Sequence, residues 1–249
     1  MFLPEDLRML ERVLYMSEWI KVSDRIYRIN DNDVYCTLIK GDKKALLIDT
    51  GYGNIDLKSE LLKMTDTPYM VINSHGHPDH AGGNNQFDEV YALKEEEDVI
   101  RHFVKTDMHY NHKEVRVNDA LDLGNATVEI VSLKGHTRGS IGFILKEERI
   151  LIAGDALNEG LWLFNYGSLS MEELYQTLNK TLNMDFDYYL CGHSGIIYPK
   201  ERINLHIRNI ENLKVDEKTK EMIMGFETYK STYEKNGHKS EIIFTKDKL

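Results

Sequence analysis

Ser74-His75-Gly76-His77-Pro78-Asp79-His80-Ala81-Gly82-Gly83 follows directly on the apolar run 69–73. It sets four ligand-type side chains, His75, His77, Asp79 and His80, within six residues. Imidazole and carboxylate suit zinc, iron or manganese, and Gly76, Pro78, Gly82 and Gly83 give the backbone tight, fixed turns between them. With His75 and His77 two residues apart and Asp79 and His80 beyond the bend, one loop can serve two adjacent metals.

Working outward, three further residues stand in the same local context. His136 follows the strand pattern 126–133, Asp155 follows 150–153 and His193 follows 188–191; each comes directly after a glycine, Gly135, Gly154 and Gly192. Ligand sites in layered α/β proteins collect outside the carboxyl ends of strands. Four strand ends that each deliver His or Asp therefore predict one convergent site. A lone His is more often a surface or hydrogen-bonded core group than a ligand. The whole set outweighs that reading, because the dense first cluster and the repeated strand-Gly-ligand pattern would both have to be accidents.

The rest of the chain reads as layers of helix and strand. Leu3, Leu7, Leu10 and Leu14 make one apolar helical stripe over 3–17, expected to cover the core or to contact a second copy. Strands are expected at 19–22, 26–29, 34–39 and Ala45–Ile48, separated by turn residues such as Asp31-Asn32-Asp33. From Leu57 helices and strands alternate, which predicts an α/β architecture. Helices are expected at Leu57–Met64, 94–104, 170–182 and 201–213, with strands at 69–73, 90–93, 126–133, Ile141–Leu145, 150–153 and 188–191. The charged segment 216–249, with a short strand at 241–245, is expected to pack on the same domain, so 1–249 reads as one domain without repeat, low-complexity tract or linker.

A chain of 249 residues with 41% hydrophobic side chains can bury one sizeable core. The 31 Lys and Arg against 41 Asp and Glu give a net charge of −10, which argues against general affinity for nucleic-acid backbone or an anionic membrane. No stretch approaches the roughly 18 apolar residues of a membrane span, and Met1-Phe2-Leu3-Pro4-Glu5-Asp6 lacks the basic start of a secretory signal. A cytoplasmic protein acting on a small molecule is the expectation, with a homodimer left open. Cys36 and Cys191, each in an apolar segment, read as buried thiols rather than a disulfide.

The sequence resembles the metallo-β-lactamase superfamily, whose H-x-H-x-D-H hallmark stands here as His75, His77, Asp79 and His80. Later landmarks appear in order: Gly-His-Thr-Arg-Gly-Ser at 135–140, Gly154-Asp155 and Gly192-His193. The resemblance runs from about Trp19 to about Leu213. It implies a four-layer αββα sandwich with the site at one edge, and two divalent metal ions, zinc favoured, with iron or manganese compatible. His75, His77 and His136 would hold the first; Asp79, His80 and His193 the second; Asp155 would bridge them. Arg138 departs from the family pattern, where many relatives have Pro, and reads as a solvated loop cation or a cation offered to substrate, the former favoured. Asp155 departs from the antibiotic-hydrolysing branch and looks more like the thioesterase, lactonase, phosphodiesterase and RNA-processing branches.

Two such ions about 3.5–4 Å apart would lower the pKa of a shared water and produce a bridging hydroxide nucleophile. Asp79 is the expected catalytic residue, orienting that hydroxide and carrying a proton to the leaving group. The expected reaction is cleavage of a small ester, thioester or lactone. The alternatives are a phosphodiesterase or nuclease of the same fold and a non-catalytic metal-binding module. His102, His109 and His112, in a polar segment expected to loop near the site, read as solvated residues rather than ligands. The aromatic-rich segment 157–167 reads as a loop that either walls an acyl pocket or packs onto the core.

Overall fold

The computed structural model describes residues 18–103 and 107–249. The helix expected over 3–17, and Val104 at the end of the helix expected over 94–104, lie outside the described residues.

Strand β4 (Ala45–Ile48) shows why the chain forms layers. All four residues are buried, Leu46 and Ile48 in one apolar cluster and Ala45 and Leu47 in another. Successive strand side chains point to opposite faces, so a wholly apolar strand must be covered on both. It lies mid-sheet among β1 (Ile20–Lys21), β2 (Ile26–Asp31), β3 (Val34–Lys40), β5 (Tyr69–Ile72), β6 (Glu89–Leu93) and β7 (Asn111–Val115). These seven run in chain order, antiparallel as far as β4 and parallel from there on.

A second sheet runs in the order β14 (Tyr198–Pro199), β13 (Tyr188–Leu190), β11 (Ile150–Ile152), β10 (Ile141–Leu145), β9 (Thr127–Ser132), β8 (Ala120–Asp122). All its pairings are antiparallel except β11 with β13. Between the sheets, Ile48 and Ile72 share one core with Val128, Phe143 and Ile152. Helix α1 (Leu57–Met64), capped by Asp56, covers the outer face of the first sheet through Leu57 and Leu61. The short α2 (Pro78–Ala81) and α3 (Glu97–Phe103) lie at the site edge. On the outer face of the second sheet, α4 (Met171–Leu182) contributes Leu174 and Leu178, and α5 (Ile203–Glu211) contributes Ile203 and Ile207. Ser170 and Glu173 form a capping box at the start of α4, a device worth about 1 kcal/mol. The expected αββα sandwich is the fold.

Two expectations are corrected. The segment 157–167 is not simply a loop, because β12 (Gly160–Leu163) pairs parallel with β17 (His238–Phe244). With β16 (Phe226–Lys235) and β15 (Glu221–Ile223) they make a third sheet, ordered β12-β17-β16-β15, whose inner residues Leu161, Tyr229, Ile242 and Phe244 join the α4–α5 core. The strand expected at 241–245 is thus one arm of a long hairpin. The polar segment 102–112 is likewise not one loop, since His102 lies in the last turn of α3 and His112 on β7. Among the described residues, no helix is long and apolar enough to cross a membrane. Cys36 and Cys191 are free and buried.

Candidate metal centre

β4 and β5 run parallel in the first sheet; β11 and β13 run parallel in the second, and β9, two antiparallel steps from β11, shares their direction. The chain therefore leaves all these strands at the same edge, where the ligand-type residues lie. His75 follows β5, and His77 caps α2 with Pro78 in its first turn, which turns Asp79 and His80 back toward the strand ends. His136 lies between β9 and β10, Asp155 in the turn after β11, and His193 after β13.

All seven expected residues come together in two groups. His75, His77 and His136 form one; Asp79, His80, Asp155 and His193 form the other; within each, one candidate donor atom per residue lies within 4.8 Å of the rest. In the first group His75 Nε2 and His136 Nε2 lie 3.2 and 2.8 Å from His77 Nδ1. In the second, Asp155 sets Oδ1 3.1 Å from His80 Nε2 and Oδ2 3.1 Å from His193 Nε2. The same Oδ2 lies 3.8 Å from His136 Nε2, so Asp155 stands between the groups. Asp79 Oδ2 lies 3.2 Å from His193 Nε2 and 3.5 Å from His80 Nε2.

The far nitrogens of four imidazoles are already engaged. His75 Nδ1 meets Ser74 Oγ at 3.1 Å, His80 Nδ1 meets Asp49 Oδ2 at 2.8 Å, His136 Nδ1 meets the Trp162 carbonyl at 2.9 Å, and His193 Nδ1 meets the Asp33 carbonyl at 2.8 Å. Donation to these acceptors leaves a lone pair on each site-facing nitrogen of the neutral ring. In the first group His75 Nε2 and His136 Nε2 both point at His77 Nδ1, and in the second the rings of His80 and His193 face the carboxylates of Asp79 and Asp155. His80 Nε2 and Asp155 Oδ1, both buried, have no hydrogen-bond partner. This donor set fits a pair of divalent cations, which would ligate nitrogens and carboxylate oxygens otherwise crowded against one another.

Titration follows the same asymmetry. Burial, reinforced by neighbouring imidazoles, holds His75 well below its ordinary value and His77 down to about 3. Burial acts on His193 as well, but the hydrogen bonds it donates to Asp155 and Asp79 overcome it and push the ring up to about 10.

Several supporting residues escaped the sequence reading. Asp49, at the end of β4 and only 2% exposed, accepts the Ser74 N–H at 2.6 Å and orients His80. Its signal was available: Asp49-Thr50-Gly51 is another polar-Gly step after an apolar strand. Glu96 is fully buried and accepts from the Gly76 N–H at 2.6 Å and the Gly139 N–H at 2.7 Å, tying the His75–His77 loop to the His136 loop. Arg28 on β2 donates to the carbonyls of Cys191 and Ser194, which bracket His193. Nothing local marks Glu96 or Arg28, whose partners lie far away in sequence. At Gly192 a Cβ would run into the Asp155 carboxylate, which explains the glycine before His193.

Arg138 pairs with Asp98 at 3.2 Å over the Tyr166 ring, in keeping with a surface cation. His102 stacks on Tyr166 and His109 is exposed, so neither joins the cluster. In the 161–166 segment Leu161, Leu163 and Phe164 pack onto the core, while Trp162 lines the cavity over the site.

Residues 29–193 match the family model described as the metallo-beta-lactamase superfamily. Hydroxyacylglutathione hydrolase of Hyphomonas neptunium is 32% identical over 52% of this chain and 49% of its own length. Human acyl-coenzyme A thioesterase MBLAC2 is 26% identical over 57% of this chain and 63% of its own. The chain thus spans about half to two thirds of the length of these relatives. A metallo-beta-lactamase from Pontibacter korlensis has the same fold, with a TM-score of 0.62 at 16% identity over 79% of this chain and 99% of that one. Fold, strand-end cluster and family match agree: the chain belongs to the metallo-β-lactamase superfamily.

Proposed function

We propose that this protein is a metal-dependent hydrolase that cleaves an ester-like acyl bond, a thioester first among ester, thioester and lactone. The observation that carries this reading is the pair of abutting donor groups with Asp155 between them at the floor of an open cavity. The named activities of the two relatives point to thioesters.

In this reading His75, His77 and His136 would hold one divalent cation, Asp79, His80 and His193 would hold a second, and Asp155 would be shared between them. Bound there, the pair would supply Lewis acidity toward the acyl oxygen and bring the pKa of water toward neutrality. The protein supplies the rest. Asp49, Ser74, the Trp162 carbonyl and the Asp33 carbonyl hold four rings in the tautomer that presents a lone pair. Asp79, with its side chain 17% exposed and lining the cavity, is placed to orient water and to hold a proton at Oδ2 for the leaving thiolate or alkoxide.

The test is elemental analysis of purified protein followed by a panel of acyl thioesters, esters, lactones, β-lactams and bis-p-nitrophenyl phosphate. About two transition-metal ions per chain and chelator-sensitive thioester or ester cleavage are expected. Cleavage of the phosphodiester alone, or no tightly held metal, overturns the reading.

A further inference from the structure

The cavity over the site is about 620 Å³, within the range of small-molecule pockets, and the third sheet contributes Gly160 and Trp162 to its wall. That wall includes Met224, which lies beyond the residues matched by the family model. Ile223 pairs with Phe226, so Met224-Gly225 is a two-residue hairpin turn, and φ is +51° at Met224 and +86° at Gly225. Turns with two positive φ values favour Asn, Asp or Gly at the first position. A side chain such as Met is disfavoured there by the contact of Cβ with the following carbonyl. Strain of this kind persists where a site has use for the residue.

What Met224 does is visible in its surroundings. It is 65% exposed, and Ile196, also on the cavity wall, is 58% exposed. Trp162 lines the cavity and packs on Phe164 at 5.0 Å, and Phe164 packs on Phe226 of the hairpin at 5.8 Å. Trp162, Ile196 and Met224 thus give the cavity an exposed apolar track beside the donor residues, with buried Phe164 backing Trp162 and linking it to the hairpin. Exposed apolar lining of this kind marks a binding site, and a flexible thioether adapts to ligands of varied shape.

Building on the hydrolase reading above, we infer that the substrate carries an extended alkyl or aryl acyl chain lying along Trp162 and Ile196 against Met224, and that Met224 sets the preference for chain length. The acyl carbon sits at the donor cluster and the chain points toward the hairpin. The third sheet is then a specificity element added to the catalytic layers.

The test compares kcat/KM for acetyl, hexanoyl and dodecanoyl thioesters of one small thiol, using the metal-loaded protein and its Met224→Asn variant. Asn suits the positive φ, so the variant should fold at least as well, checked by its urea midpoint. Wild type should gain about fourfold per methylene that reaches the track. Met224→Asn should lose roughly tenfold or more on dodecanoyl thioester and stay within about twofold on acetyl. Decanol should quench tryptophan fluorescence saturably, and more weakly in the variant. Cleavage with no chain-length preference, an equal loss at all lengths in the variant, or no decanol response overturns this inference and leaves the hydrolase reading standing. Failure to cleave any chain length overturns both.

Discussion

Asp49 Oδ2 lies 2.8 Å from Nδ1 of His80, in a pair almost fully removed from solvent. The carboxylate also accepts from the backbone and hydroxyl of Ser74, and so couples the strand end before the motif to one of its rings. Supporting residues of this kind typically govern metal affinity by 10–100-fold. Asp49→Ala is expected to weaken retention of the proposed second metal by about that factor, read by competition with a chromophoric chelator. Unchanged affinity would show that His80 needs no such anchor.

Asp155 is expected to matter to the proposed two-metal centre more than to the fold. Asn keeps the shape but replaces one anionic oxygen with a nitrogen that ligates poorly. Asp155→Asn should bring metal content from about two ions toward one or fewer and lower turnover by about 10²-fold or more, with circular dichroism near wild type. Full metal content and near-normal activity would remove Asp155 from the bridging position.

Metal-free protein should become less stable in alkali. Burial opposes charge on His193, but Asp155 and Asp79 push it up to about 10, and the carboxylates of Asp155, Asp79 and Asp49 raise buried His80 well above its ordinary value. Groups raised on folding stabilise fully below their unfolded pKa, near 6.5, and lose that contribution as pH climbs through the folded value. The urea midpoint of chelated protein should therefore fall between about pH 6.5 and pH 10. His193→Asn should flatten part of the fall, and a midpoint that rises with pH would contradict the argument.

Arg28 is 2% exposed, lies over the Tyr35 ring, and satisfies two carbonyls of the His193 loop. Arg28→Leu keeps much of the apolar stem but orphans both carbonyls, each costing about 1–3 kcal/mol. A loss of about 2–4 kcal/mol in unfolding free energy is expected, together with weaker metal binding at His193. A variant as stable as wild type would mean that water reaches those carbonyls freely.

What the sequence determined by itself is local. The apolar strands and the His or Asp that follow them, three of the four after a glycine, are contiguous in the chain, and strand periodicity together with ligand chemistry is enough to read them. The seven candidate ligands and a layered α/β architecture were legible for that reason; the αββα sandwich that brings them to one edge was implied by the resemblance of the motifs to the superfamily. What only the tertiary structure decided is non-local. Glu96 and Arg28 act on backbone groups 20–166 residues away, through hydrogen bonds that no spacing announces. From sequence, the charged segment 216–249 is expected to pack on the domain with only a short strand at 241–245; pairing with Gly160–Leu163 is what makes Phe226–Lys235 and His238–Phe244 a long hairpin with one face buried. A strand whose apolar face is covered by residues far away in sequence carries little signal of its own, because both its hydrogen bonds and its burial are supplied by the fold.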